Sequence, residues 1–241
     1  MKKNFPIILA FVAVAFFIST AFTLGPASET YSPQTGKTYK VSGFSKISIS
    51  VPADVYIEQS TDYSLKIDAD PDVLNKIEVE VKDGTLHIEK EKNLNNRKGD
   101  IKIYISSKKY NGISLAGSCD LEAKANISSD ELSINMAGSC DAMFSDLKAE
   151  KLKLNLAGSC DIDIKGEGAS LMKANIAGSA DLSMFDFPVE KSSISIAGSG
   201  DCEVYVTEML DASVAGSGSI VYKGTPKVKT SVHGSGSVSS L

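Results

Sequence analysis

The sequence contains no tryptophan, a single arginine (Arg97) and two histidines (His87 and His233), and aromatic residues make up only 7% of it. Each scarcity removes a class of function. Stacking platforms for sugar rings are missing, since the tyrosines are scattered along the chain. Neither histidine has suggestive neighbours, so nucleophilic catalysis by serine lacks its base. A nucleic-acid surface needs clustered basic residues, whereas the lysines here are dispersed and the formal net charge is −5. The same balance disfavours an anionic membrane surface. Acidic residues are spread evenly, without the two carboxylates at fixed separation that glycoside chemistry requires. The expectation is a chain that is not an enzyme, with no catalytic, cofactor-binding or metal-ligating residue assigned.

What is present begins with an export signal. Lys2 and Lys3 precede an apolar run from Ile7 to Ile18, and Ser19-Thr20-Ala21 supplies small residues for cleavage. Residues 1–21 read as a signal peptide, with cleavage as late as 27, followed by an N-terminal extension over 22–40. A retained anchor is the alternative, because the apolar stretch extends to Leu24, although a spanning helix usually needs about 20 apolar residues. No cysteine follows the apolar run, which argues against a lipoprotein anchor. The expected location is outside the cytoplasm: periplasm, outer-membrane surface or medium.

The dominant feature is a repeated corner. LAGSCD at 115–120 returns as MAGSCD at 136–141, LAGSCD at 156–161, IAGSAD at 176–181 and IAGSGD at 196–201. The corner glycines Gly117, Gly138, Gly158, Gly178, Gly198, Gly216 and Gly234 are spaced by 21, 20, 20, 20, 18 and 18 residues. A fixed period near 20 residues marks a solenoid. The flanks alternate apolar and polar, as in Lys151-Leu152-Lys153-Leu154-Asn155-Leu156, which is the period of a half-buried strand. The fold class is therefore all-β: a parallel β-helix or β-solenoid of about 18–21 residues per coil, built of short strands joined by corners. Right-handed coiling is expected from the general preference of parallel crossovers. Stacked at strand spacing, the marked coils would extend roughly 30 Å.

The earlier section is strand-like but less regular. Ile47 to Ile57 imitates a degenerate coil, and Val79 to Ile88 alternates around Asp83-Gly84, a tight-turn signal. Asp70 to Asn75 could form one helical turn, and Asn93 to Gly99 reads as a projecting loop. One continuous domain over 41–241 is expected, with irregular early coils at 41–110 and Gly-Ser corner repeats at 111–241.

Phe44, the strand through Ile57, the Asp-Gly turn with Leu86-His87-Ile88, and the serial I-x-I-A-G-S-G-D corners together resemble the putative auto-transporter adhesin head, GIN-domain family. The resemblance spans roughly 43–236. It implies an exported β-solenoid of Bacteroidetes-type bacteria, without established catalytic residues to carry over. This sequence departs from the pattern by placing Cys119, Cys140 and Cys160 where glycine is usual.

The repeated polar residues need separate readings. If Leu152, Leu154 and Leu156 point inward, Cys160 does too, and its equivalents Cys119, Cys140, Ala180, Gly200, Gly218 and Gly236 are all small. Cys202 falls one inward step later. Buried free thiols fit this parity; a bridge among Cys119, Cys140 and Cys160, or a metal, remains open in an oxidising compartment. Asp120, Asp141, Asp161, Asp181 and Asp201 form a column of opposite parity, facing solvent. Such a column could be a calcium ladder or a set of corner caps, and the replacement of Asp by Ser219 and Ser237 favours caps. Asn135, Asn155 and Asn175 suggest a stacked amide ladder.

These readings converge on an exported envelope or surface protein with a non-catalytic binding, adhesin-like or structural role. The alternative is a carbohydrate-active β-helix enzyme, a polysaccharide lyase or glycosidase. The expected partner is an envelope component, glycan or protein, with self-association through solenoid ends or faces as a further expectation.

Overall fold

Alternating side chains can satisfy a strand only if one face is buried, and here every coil buries the same face against its own interior. The computed structural model describes residues 35–91 and 100–241, and the fold is that of the compact unit Pro33–Leu241. The signal peptide and the expected loop at 93–99 lie outside the described residues.

Strands β1 (Thr35–Tyr39), β2 (Lys46–Ile49), β3 (Ala53–Gln59) and β4 (Ser64–Ala69) precede a single helical turn, α1 (Pro71–Leu74). A hairpin follows, β5 (Ile77–Lys82) and β6 (Thr85–Lys90), and then β7 (Lys102–Ser107), β8 (Gly112–Gly117) and β9 (Cys119–Ala123). The hairpin turns through Asp83 (φ 49°) and Gly84 (φ 72°), the two left-handed residues a tight turn needs. The repeat region comprises β10 (Ile127–Gly138), β11 (Asp141–Gly158), β12 (Asp161–Gly178), β13 (Asp181–Gly198), β14 (Asp201–Gly216), β15 (Ser219–Lys223), β16 (Lys227–Gly234) and β17 (Ser237–Ser240).

The expected short strands merge. In the middle coils one 18-residue strand runs from the Asp after one corner to the Gly of the next. Alternation slips twice within β11, at Ser145-Asp146 and Glu150-Lys151, where two successive residues avoid the interior. We read these slips as bends; the pairing also shifts register there, between Phe144 and Lys148, and again between Met184 and Pro188 and between Val189 and Lys191. The register matches Asp with Asp, Asn with Asn and Gly with Gly from coil to coil.

Two long ladders organise the fold. One runs β5–β6–β2–β8 and then through the second halves of β10 to β14 to β16. The other runs β1–β4–β7–β3–β9, then through the first halves of β11 to β14 to β15 and β17. All pairings from β6 and β7 onward along these ladders are parallel; β1, β4 and β5 join antiparallel at the N-terminal end. Stack order therefore differs from chain order. The β2–β3 coil lies between the later β6–β7 pair and β8–β9, which confirms that Ile47 to Ile57 is a coil. Strand β1 lies in the stretch read as an N-terminal extension.

The core is the inward row of each coil. Leu152, Leu154 and Leu156 are buried, as are their counterparts above and below. Burying each such side chain stabilises the fold by about 1.5–3 kcal/mol. Phe187 is buried at the bulge between Met184 and Pro188, so the Phe185-Asp186-Phe187-Pro188 outlier is a bulged segment anchored by one ring.

Candidate binding face

The second ladder carries two outward columns side by side. Parity and register stack Asp54, Asp120, Asp141, Asp161 and Asp181 in the first, with Asp201 next, and then Ser219 and Ser237. Asp54 extends the column one coil beyond the corner motif. Two residues along, Tyr56, Glu122, Met143, Asp163, Ser183 and Glu203 form the second column. Between them lies an open groove of about 910 Å³, which these two columns line from Asp54 to Glu203.

The aspartates act at the corners as well as on the groove. Asp181 Oδ1 accepts the Asp201 amide at 3.0 Å. Asp201 Oδ1 in turn accepts the Ser219 amide at 2.9 Å and its hydroxyl at 2.7 Å. Asp181 and Asp201 thus cap the strand start of the following coil, as the cap reading requires, whereas the amides of Asp161 and Asp181 are bonded by the carbonyls of Cys140 and Cys160. Among the described residues no group of three or more His, Cys, Asp or Glu side chains is placed to hold a metal ion.

The cysteines occupy the predicted inward column. Cys119, Cys140, Cys160 and Cys202 are free thiols and fully or almost fully buried. Cys160 donates weakly to Ala157 O and Gly138 O at 3.7 Å, and Cys119 to Val51 O at 3.1 Å. Burial pushes the Cys160 and Cys202 thiols above the ordinary value of 9.0. The hydrogen bond between Cys119 and Cys140 instead raises the first thiol and draws the second down to about 7. All three corner thiols are fully buried, and a thiol closed to reagents is inert, so the repeated Gly-Ser-Cys is a corner rather than a reactive site. The amide ladder is also realised: Asn155 Nδ2 donates to Asn135 Oδ1 at 2.7 Å, and Asn175 Nδ2 to Asn155 Oδ1 at 2.9 Å.

The tyrosines correct the sequence reading. Tyr56 and Tyr104 are not scattered; they stack at 5.1 Å with an interplanar angle of 15°. Lys124 Nζ stands 5.8 Å from the Tyr56 ring and Lys66 Nζ 5.6 Å from the Tyr104 ring. Each ring thus has a tyrosine and an ammonium group as neighbours; Tyr56 lines the end of the groove, and Tyr104 beside it is 37% exposed. The signal was invisible in sequence because the rings are 48 positions apart and belong to coils stacked out of chain order.

His87 Nδ1 lies 3.9 Å from Glu89. His233 Nε2 lies 3.4 Å from Ser231 Oγ, an i, i+2 neighbour on an exposed strand.

A parallel solenoid with capped Gly-Ser corners, a sealed thiol column and an open acidic groove defines a class: a rigid repeat scaffold that presents a face for binding. Within that class, the family described as "Putative auto-transporter adhesin, head GIN domain" matches residues 43–226, and the chain belongs to it. A putative adhesin from Bacteroides fragilis is 29% identical with a TM-score of 0.80, the alignment covering 86% of this chain and 97% of that one. A putative lipid binding protein from Parabacteroides distasonis is 28% identical at TM-score 0.70, covering 87% and 97%. A putative adhesin from the same species is 25% identical at TM-score 0.68, covering 88% and 98%. No curated protein matches the chain.

Proposed function

We propose that this chain is an exported, adhesin-like surface binder that holds an envelope ligand along the groove of its second ladder. The observation that carries the reading is the groove itself: outward carboxylates from Asp54 to Glu203, fixed in register by a buried ladder. Fixed side chains bind with little ordering cost. No lysine, arginine or histidine lines the groove, although Lys124 and Lys165 reach its Glu122 and Asp163 at 3.4 and 3.5 Å; on balance it offers acceptors and favours ligands rich in hydroxyl or ammonium donors. Anionic lipid headgroups would be repelled. The descriptions of the relatives as adhesins support surface exposure, and we place the protein on the outer face of the cell envelope.

Retention of the mature chain on immobilised envelope glycans and on envelope-protein fractions tests the reading. Reversible retention without product, lost in an Asp141→Lys/Asp161→Lys variant that keeps its β-sheet circular dichroism, is the expected result. Release of shortened glycan would overturn the reading in favour of a carbohydrate-active enzyme. Retention indifferent to the two substitutions would remove the groove from it.

A further inference from the structure

The first ladder ends in two edge strands of opposite character. At the N-terminal end, β5 reads Ile77-Glu78-Val79-Glu80-Val81-Lys82 and pairs, among the described strands, with β6 alone. Its outward residues include Glu78 and Glu80, and Glu78 stands opposite Glu89 across the hairpin. Like charges in that relation are unfavourable. At the other end, β16 reads Lys227-Val228-Lys229-Thr230-Ser231-Val232-His233-Gly234 and pairs with β14 alone. Its outward residues Lys227 and Lys229 are exposed.

Both ends also leave the inward row uncovered. Val228 and Val232 continue the rows of Leu210 and Val214. Leu210 and Val214 are fully buried, whereas Val228 is half-buried and Val232 is 39% exposed. At the far end Val79 and Val81 are half-buried in the same way. Each edge thus combines unpaired backbone, a partly exposed aliphatic row and a charged outer row.

We infer that the partner of the β16 edge is β5 of a second copy, joined antiparallel so that molecules associate head to tail. Pairing Glu80 with Lys229 sets Val81 opposite Val228 and Ile77 opposite Val232 by simple antiparallel counting, so the inward and outward rows of both strands stay in phase. Glu78 then faces Ser231 and lies diagonally beside Lys229, while Lys82 falls opposite Lys227 at the end of the pairing, a like-charge contact that Glu80, diagonal to Lys227, offsets. This arrangement places an ammonium group next to the Glu78–Glu89 pair and covers the exposed valines. The two symmetric alternatives are disfavoured, since β16 with β16 opposes lysines and β5 with β5 opposes glutamates. A heterologous contact of this kind does not close on itself and gives open chains.

The test is sedimentation velocity of the mature chain over a range of concentrations up to millimolar, at low and high salt. The expected result is a mass that grows past the dimer with concentration and falls back when salt is raised. Lys227→Glu/Lys229→Glu and Glu78→Lys/Glu80→Lys variants should each raise the concentration of half-assembly by at least about tenfold. An equimolar mixture of the two should assemble again, because each end of one variant then meets its opposite charge on the other. A wild-type chain that remains monomeric throughout, a species that stops at the dimer, or failure of the mixture to assemble would each overturn the inference. Ligand retention by the groove is unaffected by these substitutions, so the outcome is separable from the function proposed above.

Discussion

At the scale of single residues, the repeat shows where chemistry departs from the environment it sits in. Ser192 occupies an inward row otherwise filled by Leu132, Leu152, Met172, Leu210 and Val228. It is buried, and among the described residues its hydroxyl finds no hydrogen-bond partner. An unsatisfied buried hydroxyl costs about 1–3 kcal/mol. Ser192→Ala should therefore stabilise the protein by about 1 kcal/mol, read as a higher urea midpoint at unchanged slope. Buried groups with raised pKa values govern alkaline stability, Cys202 and Tyr110 among them. Burial raises the Cys202 thiol above 9.0, the neighbouring Asp201 and Asp181 adding to it, and burial with Glu58 nearby raises the Tyr110 phenol above 10.0. Tyr110 meanwhile donates to the carbonyls of Ile105 at 3.0 Å and Glu58 at 3.1 Å. Above those ordinary values the unfolded chain has released protons that the native state keeps, so stability falls with rising pH. The contribution is complete below pH 9 and declines above it by up to about 1.4 kcal/mol per pH unit and group. Thermal melts between pH 8 and 11 should show this fall flattened in Cys202→Ala from pH 9 and in Tyr110→Phe from pH 10. Equal slopes in wild type and both variants would contradict it.

At the scale of the element, the corner decides what the repeat tolerates. Gly117 and Gly178 are the same corner in different coils, with φ of 104° and 119°. A Cβ at Gly178 would overlap the carbonyl oxygen of Gly158 in the coil beneath, whereas a Cβ at Gly117 meets nothing within contact distance. Gly117→Ala should cost about 1–2 kcal/mol, the penalty of a side chain in left-handed backbone. Gly178→Ala adds a backbone collision and should cost about 4 kcal/mol or more. Matched denaturation curves would check the contrast, and equal losses would refute stacking as the reason for glycine. The corner was legible in sequence because each copy reports the same surroundings; the Asp cap holds at Asp181 and Asp201, while Cys140 and Cys160 carbonyls take the amides of Asp161 and Asp181. The bends at Ser145-Asp146 and Glu150-Lys151 were not, since a pair of adjacent polar residues also occurs in any loop. Their meaning depends on Phe144 and Leu147 both pointing inward across the gap.

At the scale of the whole molecule, legibility follows contact distance along the chain. From β10 onward most neighbours in space are one coil apart in sequence, so alternation and period suffice to place Asp141 beside Asp161. Before that, Ile47 packs beside both Leu86 and Ile113, and no local pattern states that the β6–β7 pair will settle on the far side of β2–β3. The Tyr56–Tyr104 stack and the acidic β5 edge, both parts of that reordered end, were illegible for the same reason. The reordering has an energetic consequence. In a repeat stack each coil is stabilised chiefly by its neighbours. On the second ladder the N-terminal end is extended by β4 and β1 in antiparallel pairs, with Leu65 and Ile67 of β4 buried, and β5 of the first ladder is left as an edge there. The end formed by β16 and β17 has one neighbour, and both its faces are largely exposed. Opening should therefore proceed from that end. Hydrogen exchange at concentrations below any association should show β16 and β17 opening at no more than about 2 kcal/mol, while amides of β3, β7 and β9 exchange only through global unfolding. Protection should rise from β16 through β14 toward β11 and remain high to β7. Equal protection of β16 and β11 in the monomer would show that stability does not run down the stack toward its uncovered edge.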